Sequence, residues 1–258
     1  MGWLGSPPFR RVPSLCVVTE EAASAAPEWS ETMVGIPDAL TRAAILLLVA
    51  LMASYLLGRE QKDRLVRSRA EWLRLALGQR YAEPRLAATA YGFTATAQLP
   101  EGPARRIDAS LFLLPREIPP LWLVRALGGA TDLLTFWVSL RAAPASQGDA
   151  FDLRVPAGRR AARLLPSTWV HRREPGLLLA APSELHLERL RELADVLRQD
   201  GLLPVFASVR AQAPHLQVTY QAPATLEQCR AAVQAVWLAT RLLSSERLLD
   251  PGLQPDLH

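Results

Sequence analysis

"LLLAAPSELHLERLREL", Leu177 to Leu193, changes its period halfway along. The first five residues are apolar and read as a strand. Pro182 ends it, because proline has no amide hydrogen to give to a ladder. A helical period opens directly behind. Ser183 and Glu184 suit the helix start, by capping and by the macrodipole, and Asp200 and Gly201 suit its stop. Within that helix Leu185, Leu190, Leu193 and Leu197 are expected on one buried face.

The same join occurs three more times, in "ASLFLLPREIPPLWLVRAL", "FDLRVPAGRRAARLL" and "VTYQAPATLEQCRAAVQAVW". The prolines are Pro115, Pro156, Pro182 and Pro223. In the last helix Thr225 and Gln228 have the spacing of a capping box, and Cys229, Val233, Val236 and Trp237 share a face. A second strand precedes each join: "AATAYGFTATAQL", "LLTFWVSLR", "STWVHR" and "LPVFASVR". The connections "PEGPARR", "AAPASQGD", "REPG" and "AQAPH" have the turn chemistry of hairpin loops. The expected unit is therefore a β-hairpin then a helix, four times over. The expected class is α+β, an antiparallel sheet with helices on one face. Pro115 to Pro182 has the same separation as Pro156 to Pro223. A tandem duplication of a ββαββα unit explains that equality; coincidence in a chain rich in Ala, Leu, Pro and Arg is the alternative. Trp122, Trp137 and Trp237 lie in apolar periodic runs and are expected as buried anchors.

Upstream, "ALTRAAILLLVALMASYLLG", Ala39 to Gly58, is of another kind. No polar face interrupts it between Ala43 and Ser54, whereas a core helix normally keeps one. Its uninterrupted part, Ala43 to Leu57, is about 22 Å long at ~1.5 Å per residue, against a bilayer core of roughly 30 Å. The full stretch spans if Arg42 snorkels to an interface. A buried core helix and a cleaved signal peptide are the alternatives. Against the latter, the basic residues Arg59, Lys62, Arg64, Arg67 and Arg69 follow the apolar run, while Glu20, Glu21, Glu28, Glu31 and Asp38 precede it. These five basic residues are the expected topology determinants: the positive-inside rule puts the C-terminal side in the cytoplasm and the N-terminus outside. The expected organisation is a disordered or mis-called N-terminus at 1–37, a membrane helix at 38–58, a basic juxtamembrane helix at 59–84, a cytoplasmic α+β domain at 85–249 and a tail at 250–258. Met33, just ahead of the span, is a candidate alternative start.

Half of the 258 residues are apolar, enough for a sizeable core. The formal charge is +4, and Lys62 is the one lysine. Cys16 and Cys229 are far apart and neither sits in a CxxC, which argues against a disulfide framework or a zinc site. No phosphate loop, G-x-S-x-G elbow or H-E-x-x-H is present. No catalytic, cofactor-binding or metal-ligating set is expected. "GGATD", Gly128 to Asp132, reads as a helix stop before a strand rather than a phosphate turn. The remaining clusters are Arg159, Arg160 and Arg163 near a helix start, and Arg172 and Arg173 in or after a strand. They are candidates for an anionic partner, lipid or ribosomal RNA; a solvated charged face is the plainer alternative.

"IDASLFLLPREIPPLWLVRALGGATDLLTFWVSL", Ile107 to Leu140, resembles the cytosolic domain of the calumin family, single-span endoplasmic-reticulum proteins of the PAT complex beside the translocon. The shared features are a strand, an Arg after its end, a helix ending "LxR", a spacer with Asp, and a strand of alternating apolar residues. "DAFDLRVPAGRRAARL" looks like that family's next strand and helix. The family's acidic lumenal region and long charged C-terminal helix have no counterpart, so calcium binding is not carried over. The first reading is a membrane-anchored, non-enzymatic protein, with the bilayer and other membrane-protein subunits as partners, whose cytoplasmic domain binds other proteins; the resemblance implies that it assists membrane-protein insertion or chaperoning beside the Sec translocon and the ribosome. An assembly subunit of another membrane complex is the runner-up, and a membrane-tethered enzyme the third reading.

Overall fold

The computed structural model describes residues 38–198, 202 and 204–249. The expectations for residues 1–37 (Cys16 and Met33 among them), for a helix stop at Asp200 and Gly201, and for the tail at 250–258 lie outside the described residues. The chain divides between Leu47 and Leu48. The described part of the first unit is the start of a helix, in which Arg42 lies 3.8 Å from Asp38 one turn away.

That helix, α1, covers Asp38–Gly78. It is the one described helix long and apolar enough to cross a membrane, and its apolar window is wholly unburied. Its 41 residues correspond to about 60 Å at ~1.5 Å per residue, roughly twice a bilayer core. The last turns change character: Leu73, Ala76 and Leu77 are buried in the core of the second unit. The basic stretch after the apolar run is thus the middle of one helix that ends inside the globular body.

The rest is α+β. Among the described residues nine strands follow, with four more helices: β1 Arg85–Thr89, β2 Gly92–Gln98, β3 Ala104–Phe112, α2 Pro119–Leu127, β4 Leu133–Leu140, β5 Gly148–Asp152, α3 Pro156–Ala162, β6 Val170–Glu174, β7 Leu177–Ala181, α4 Glu184–Leu197, β8 Pro204–Val209, β9 Leu216–Gln221 and α5 Leu226–Leu249. One sheet takes the order β1-β2-β3-β4-β9-β8-β5-β7-β6. Every neighbouring pair is antiparallel.

The period of two sorts the faces. Phe93, Ile107, Phe136, Val138, Leu179, Ala207 and Val218 point to the helical side and are buried together with Leu187, Leu190, Leu193 and Leu197 of α4 and Cys229, Val233 and Val236 of α5. The other face is more polar; there Thr135 and Thr219 join their hydroxyls at 3.0 Å, and Arg210 pairs with the buried Asp149 beneath Trp169.

Several expectations are corrected. "AATAYGFTATAQL" is two strands, β1 and β2, turning at Ala90–Tyr91. β4 and β5 are not a hairpin: β4 pairs with β3 and β9, and β5 with β7 and β8. Their connection spans three strand spacings, about 14 Å at ~4.8 Å each. Strand pairing therefore does not repeat as a duplicated ββα unit requires, since β3 meets the strand that follows it directly whereas β7 meets β5 instead of β8. The buried face of α4 runs through Leu187, and Leu185 is exposed. None of the three tryptophans is fully buried. Trp122 is 38% exposed, and Trp237 is half-buried between the guanidinium groups of Arg80 and Arg241, at 4.7 and 4.9 Å from its ring. The buried aromatic side chains among the described residues are Phe136 and Tyr220, edge to face at 6.3 Å, with Tyr81, Phe93 and Phe151.

Helix ends follow local chemistry. Thr225 accepts the Gln228 amide at 3.2 Å, and the Gln228 side chain takes the Ala224 amide at 2.8 Å, a reciprocal cap on α5. Pro119 and Pro156 occupy first-turn positions where a missing amide costs nothing. α2 stops at Gly129, whose φ of +72° closes the helix; the Gly129 and Ala130 amides return to the Ala126 and Arg125 carbonyls.

Candidate interaction surface around α2

Strand register gathers one end of the sheet. The ends of β1, β3, β5 and β9 and the starts of β2, β4, β7 and β8 all lie there. α2 and α3 follow β3 and β5 at this end and meet each other: Arg160 donates to the Gly128 carbonyl at 3.4 Å.

α1 is fastened to the same end. At Gly58 it runs against the backbone that leads into α2, and a β-carbon there would lie 2.2 Å from the Arg116 carbonyl oxygen. One turn on, Lys62 forms an ion pair with Glu117 and donates to the Ala90 carbonyl at 2.7 Å. Burial alone would push the Glu117 carboxyl up. The Lys62 hydrogen bond, a backbone amide and the charges of Lys62 and Arg116 outweigh it and hold the group below its ordinary range. Arg116 in turn grips Asp132 with two bonds, 2.7 and 3.2 Å, and Asp132 accepts the Leu114 amide at 2.8 Å. The start of α2 is thus tied to both α1 and the sheet.

The helix so held is apolar and uncovered. No α2 residue is buried. Leu123 is 50% exposed, Val124 68% and Leu127 80%. Tyr91 and Phe112, beside it, are also exposed. Between α2, α3 and Phe112 runs a groove of about 690 Å³, with Arg125 and Arg160 among its lining residues. Sequence reasoning missed this surface. The available signal was "PPLWLVRAL" itself, a run in which Arg125 is the one charged residue; only Trp122 in it is expected as a buried anchor, because it lies in an apolar periodic run.

The sequence-selected basic residues separate. Arg59, Arg64 and Arg67 are exposed, and Arg64 pairs with Glu60. Lys62 belongs to the seam just described. Arg69 is half-buried: burial lowers its pKa, and its guanidinium stacks 5.6 Å from the Trp72 ring. Arg159, Arg160 and Arg163 stay together on α3 and its end; Arg159 donates to the Leu153 and Arg154 carbonyls. Arg172 and Arg173 do not join them. They alternate across β6, and Arg172 is engaged by Glu184 and Glu188 of α4, at 2.8 and 2.5 Å. Arg125, Arg159, Arg160 and Arg163 take no part in the ion pairs among the described residues.

Among the described residues no group of three or more His, Cys, Asp or Glu side chains is placed to hold a metal ion. Cys229 is buried on α5, and burial pushes its thiol up to about 12. His215 is half-buried, its pKa lowered by burial, and its Nδ1 accepts the Leu140 amide at 3.0 Å. No protein-family model matches the chain, and no curated protein matches it.

Proposed function

We propose that this chain is a single-span membrane protein, N-terminus outside, whose cytoplasmic α+β domain binds other proteins at the bilayer surface and assists the insertion or chaperoning of membrane proteins. The observation that carries the anchoring is the seam at Gly58 and Lys62. A domain on a flexible linker presents all of its surface in turn. A domain fastened one residue past an apolar run keeps one end turned to the bilayer, which suits a module serving partners in the membrane plane. The orientation rests on the basic residues after that run. A binding role fits the apolar groove with its arginine rim better than convergent proton-transfer groups would. The Sec translocon and the ribosome enter as partners through the calumin-like stretch, Ile107 to Leu140. Co-sedimentation of the full chain with ribosome–translocon complexes across a salt series tests this reading. Salt-sensitive association supports it; no association at any salt leaves an assembly subunit of another membrane complex as the better account.

A further inference from the structure

We infer that α2 is a second membrane contact of this protein, an interfacial helix that lays Trp122, Leu123, Val124 and Leu127 among the headgroups and upper acyl chains, with the arginines of α3 meeting anionic headgroups. The inference rests on the anchoring reading above and adds a site to it.

Three independent observations point to lipid as the occupant. The first is position. Gly58 is the first residue after the apolar run, and the peptide leading into α2 touches it. If the run lies in a bilayer, α2 starts at the polar–apolar boundary. The helix is only about 13 Å long at ~1.5 Å per residue, so none of it lies far from that boundary.

The second is exposure. Apolar side chains on several sides of one short helix are uncovered, and Val124 and Leu127 are among the most exposed large hydrophobic residues of the domain. A water-facing surface of this kind is costly in proportion to the apolar area it exposes. The boundary of a bilayer removes that cost. Trp122 and Tyr91 add rings of the kind that settle at headgroup level.

The third is charge. Arg125 lies on α2, Arg160 of α3 reaches the Gly128 carbonyl at its end, and Arg159 and Arg163 lie close to Arg160 in the chain; all four are free of ion pairs among the described residues. An apolar helix flanked by unpaired basic residues is the composition of interfacial membrane binders, and each such charge is attracted to an anionic surface.

The test uses the full chain reconstituted in phosphatidylcholine–phosphatidylglycerol vesicles, with Cys16→Ser to leave one designed thiol. Cys229 remains, because a buried thiol raised to about 12 does not label. Val124→Cys reports on α2 and leaves the core untouched, Val124 being exposed. Glu101→Cys, in the β2–β3 turn, reports on the opposite end of the sheet, about 20 Å away at ~3.3 Å per residue. Both carry an environment-sensitive fluorophore, quenched in turn by nitroxide lipid and by aqueous iodide. The expected result is at least about threefold stronger lipid quenching at 124 than at 101, with iodide showing the reverse order, as interfacial burial requires. Equal iodide quenching at both sites, in protein that still floats with the vesicles, overturns the inference and leaves the anchor standing. Shielding of position 124 from both quenchers overturns it in favour of a protein–protein face. Protein that fails to float removes the anchor and the inference together.

Discussion

Gly58 and Arg116 meet backbone to backbone, so closely that a β-carbon on Gly58 would lie 2.2 Å from the Arg116 carbonyl oxygen. Only glycine lets α1 pass this close to the peptide that opens α2. Gly58→Ala is expected to lose up to about 2 kcal/mol, since an overpacking cost of ~1–3 kcal/mol opposes a helix-propensity gain of ~1 kcal/mol. At Gly78, where a β-carbon meets nothing within 4 Å, the same change is expected to be neutral or stabilising. Thermal unfolding of the two variants in detergent separates these outcomes.

The neighbouring ion pair gives a pH prediction. Glu117 is held below its ordinary pKa in the folded chain. A depressed carboxylate contributes stability that is fully present above the unfolded pKa of about 4.5 and is lost as pH falls through the folded value. Lys62→Met leaves Glu117 half-buried without its cation. It is expected to cost about 1.5–3 kcal/mol at neutral pH and to flatten this acid limb. Unfolding midpoints between pH 3 and pH 7 for both proteins, at spacing of roughly half a pH unit, decide it.

His215 acts at higher pH. Burial lowers its pKa, and its neutral Nδ1 accepts the Leu140 amide. The unfolded chain therefore binds the proton first, and stability falls as pH drops below about 6.5. His215→Ala removes that slope and leaves the Leu140 amide without its partner, at a cost of about 1–3 kcal/mol at pH 8.

Trp237 stacks between Arg80 and Arg241 rather than filling the core. Trp237→Ala is expected to cost about 2–3 kcal/mol, the sum of ~1 kcal/mol for partial burial and two cation–π contacts of ~0.5–1 kcal/mol each. Phe136→Ala, at a fully buried site, is expected to cost about 3–5 kcal/mol. Denaturant midpoints rank the two.

Charge reversal of Arg159, Arg160 and Arg163 is expected to weaken association with ribosome-bearing membranes while changing thermal stability little, as surface changes usually do. Arg172→Glu is the contrasting variant: its two glutamate partners become repulsive neighbours, so stability falls and association holds. Co-sedimentation beside thermal unfolding reads both.

The strand–proline–helix joins were legible because proline and period are local signals, and all four resolve into a strand and a helix. Three of the hairpins, across "PEGPARR", "REPG" and "AQAPH", were legible for the same reason, and the fourth was not. The "AAPASQGD" loop suits a hairpin, yet it carries the chain past β9 and β8, because pairing is chosen by distant strands. Leu185 and Leu187 are both leucines in one helix, and only the position of the sheet decides which one is buried. Trp122 was assigned to the core for its apolar neighbours, when those neighbours are themselves uncovered. Lys62 looked like one basic residue among five; its burial against Glu117 depends on a contact between positions far apart in sequence.

The central claim is that α1 anchors the domain in a membrane. Alkaline carbonate extraction of membranes from cells expressing the full chain tests it most directly. The protein is expected to stay in the pellet and to be released only by detergent, as the apolar run to Leu57 requires. Recovery of the full-length protein in the carbonate supernatant would contradict it.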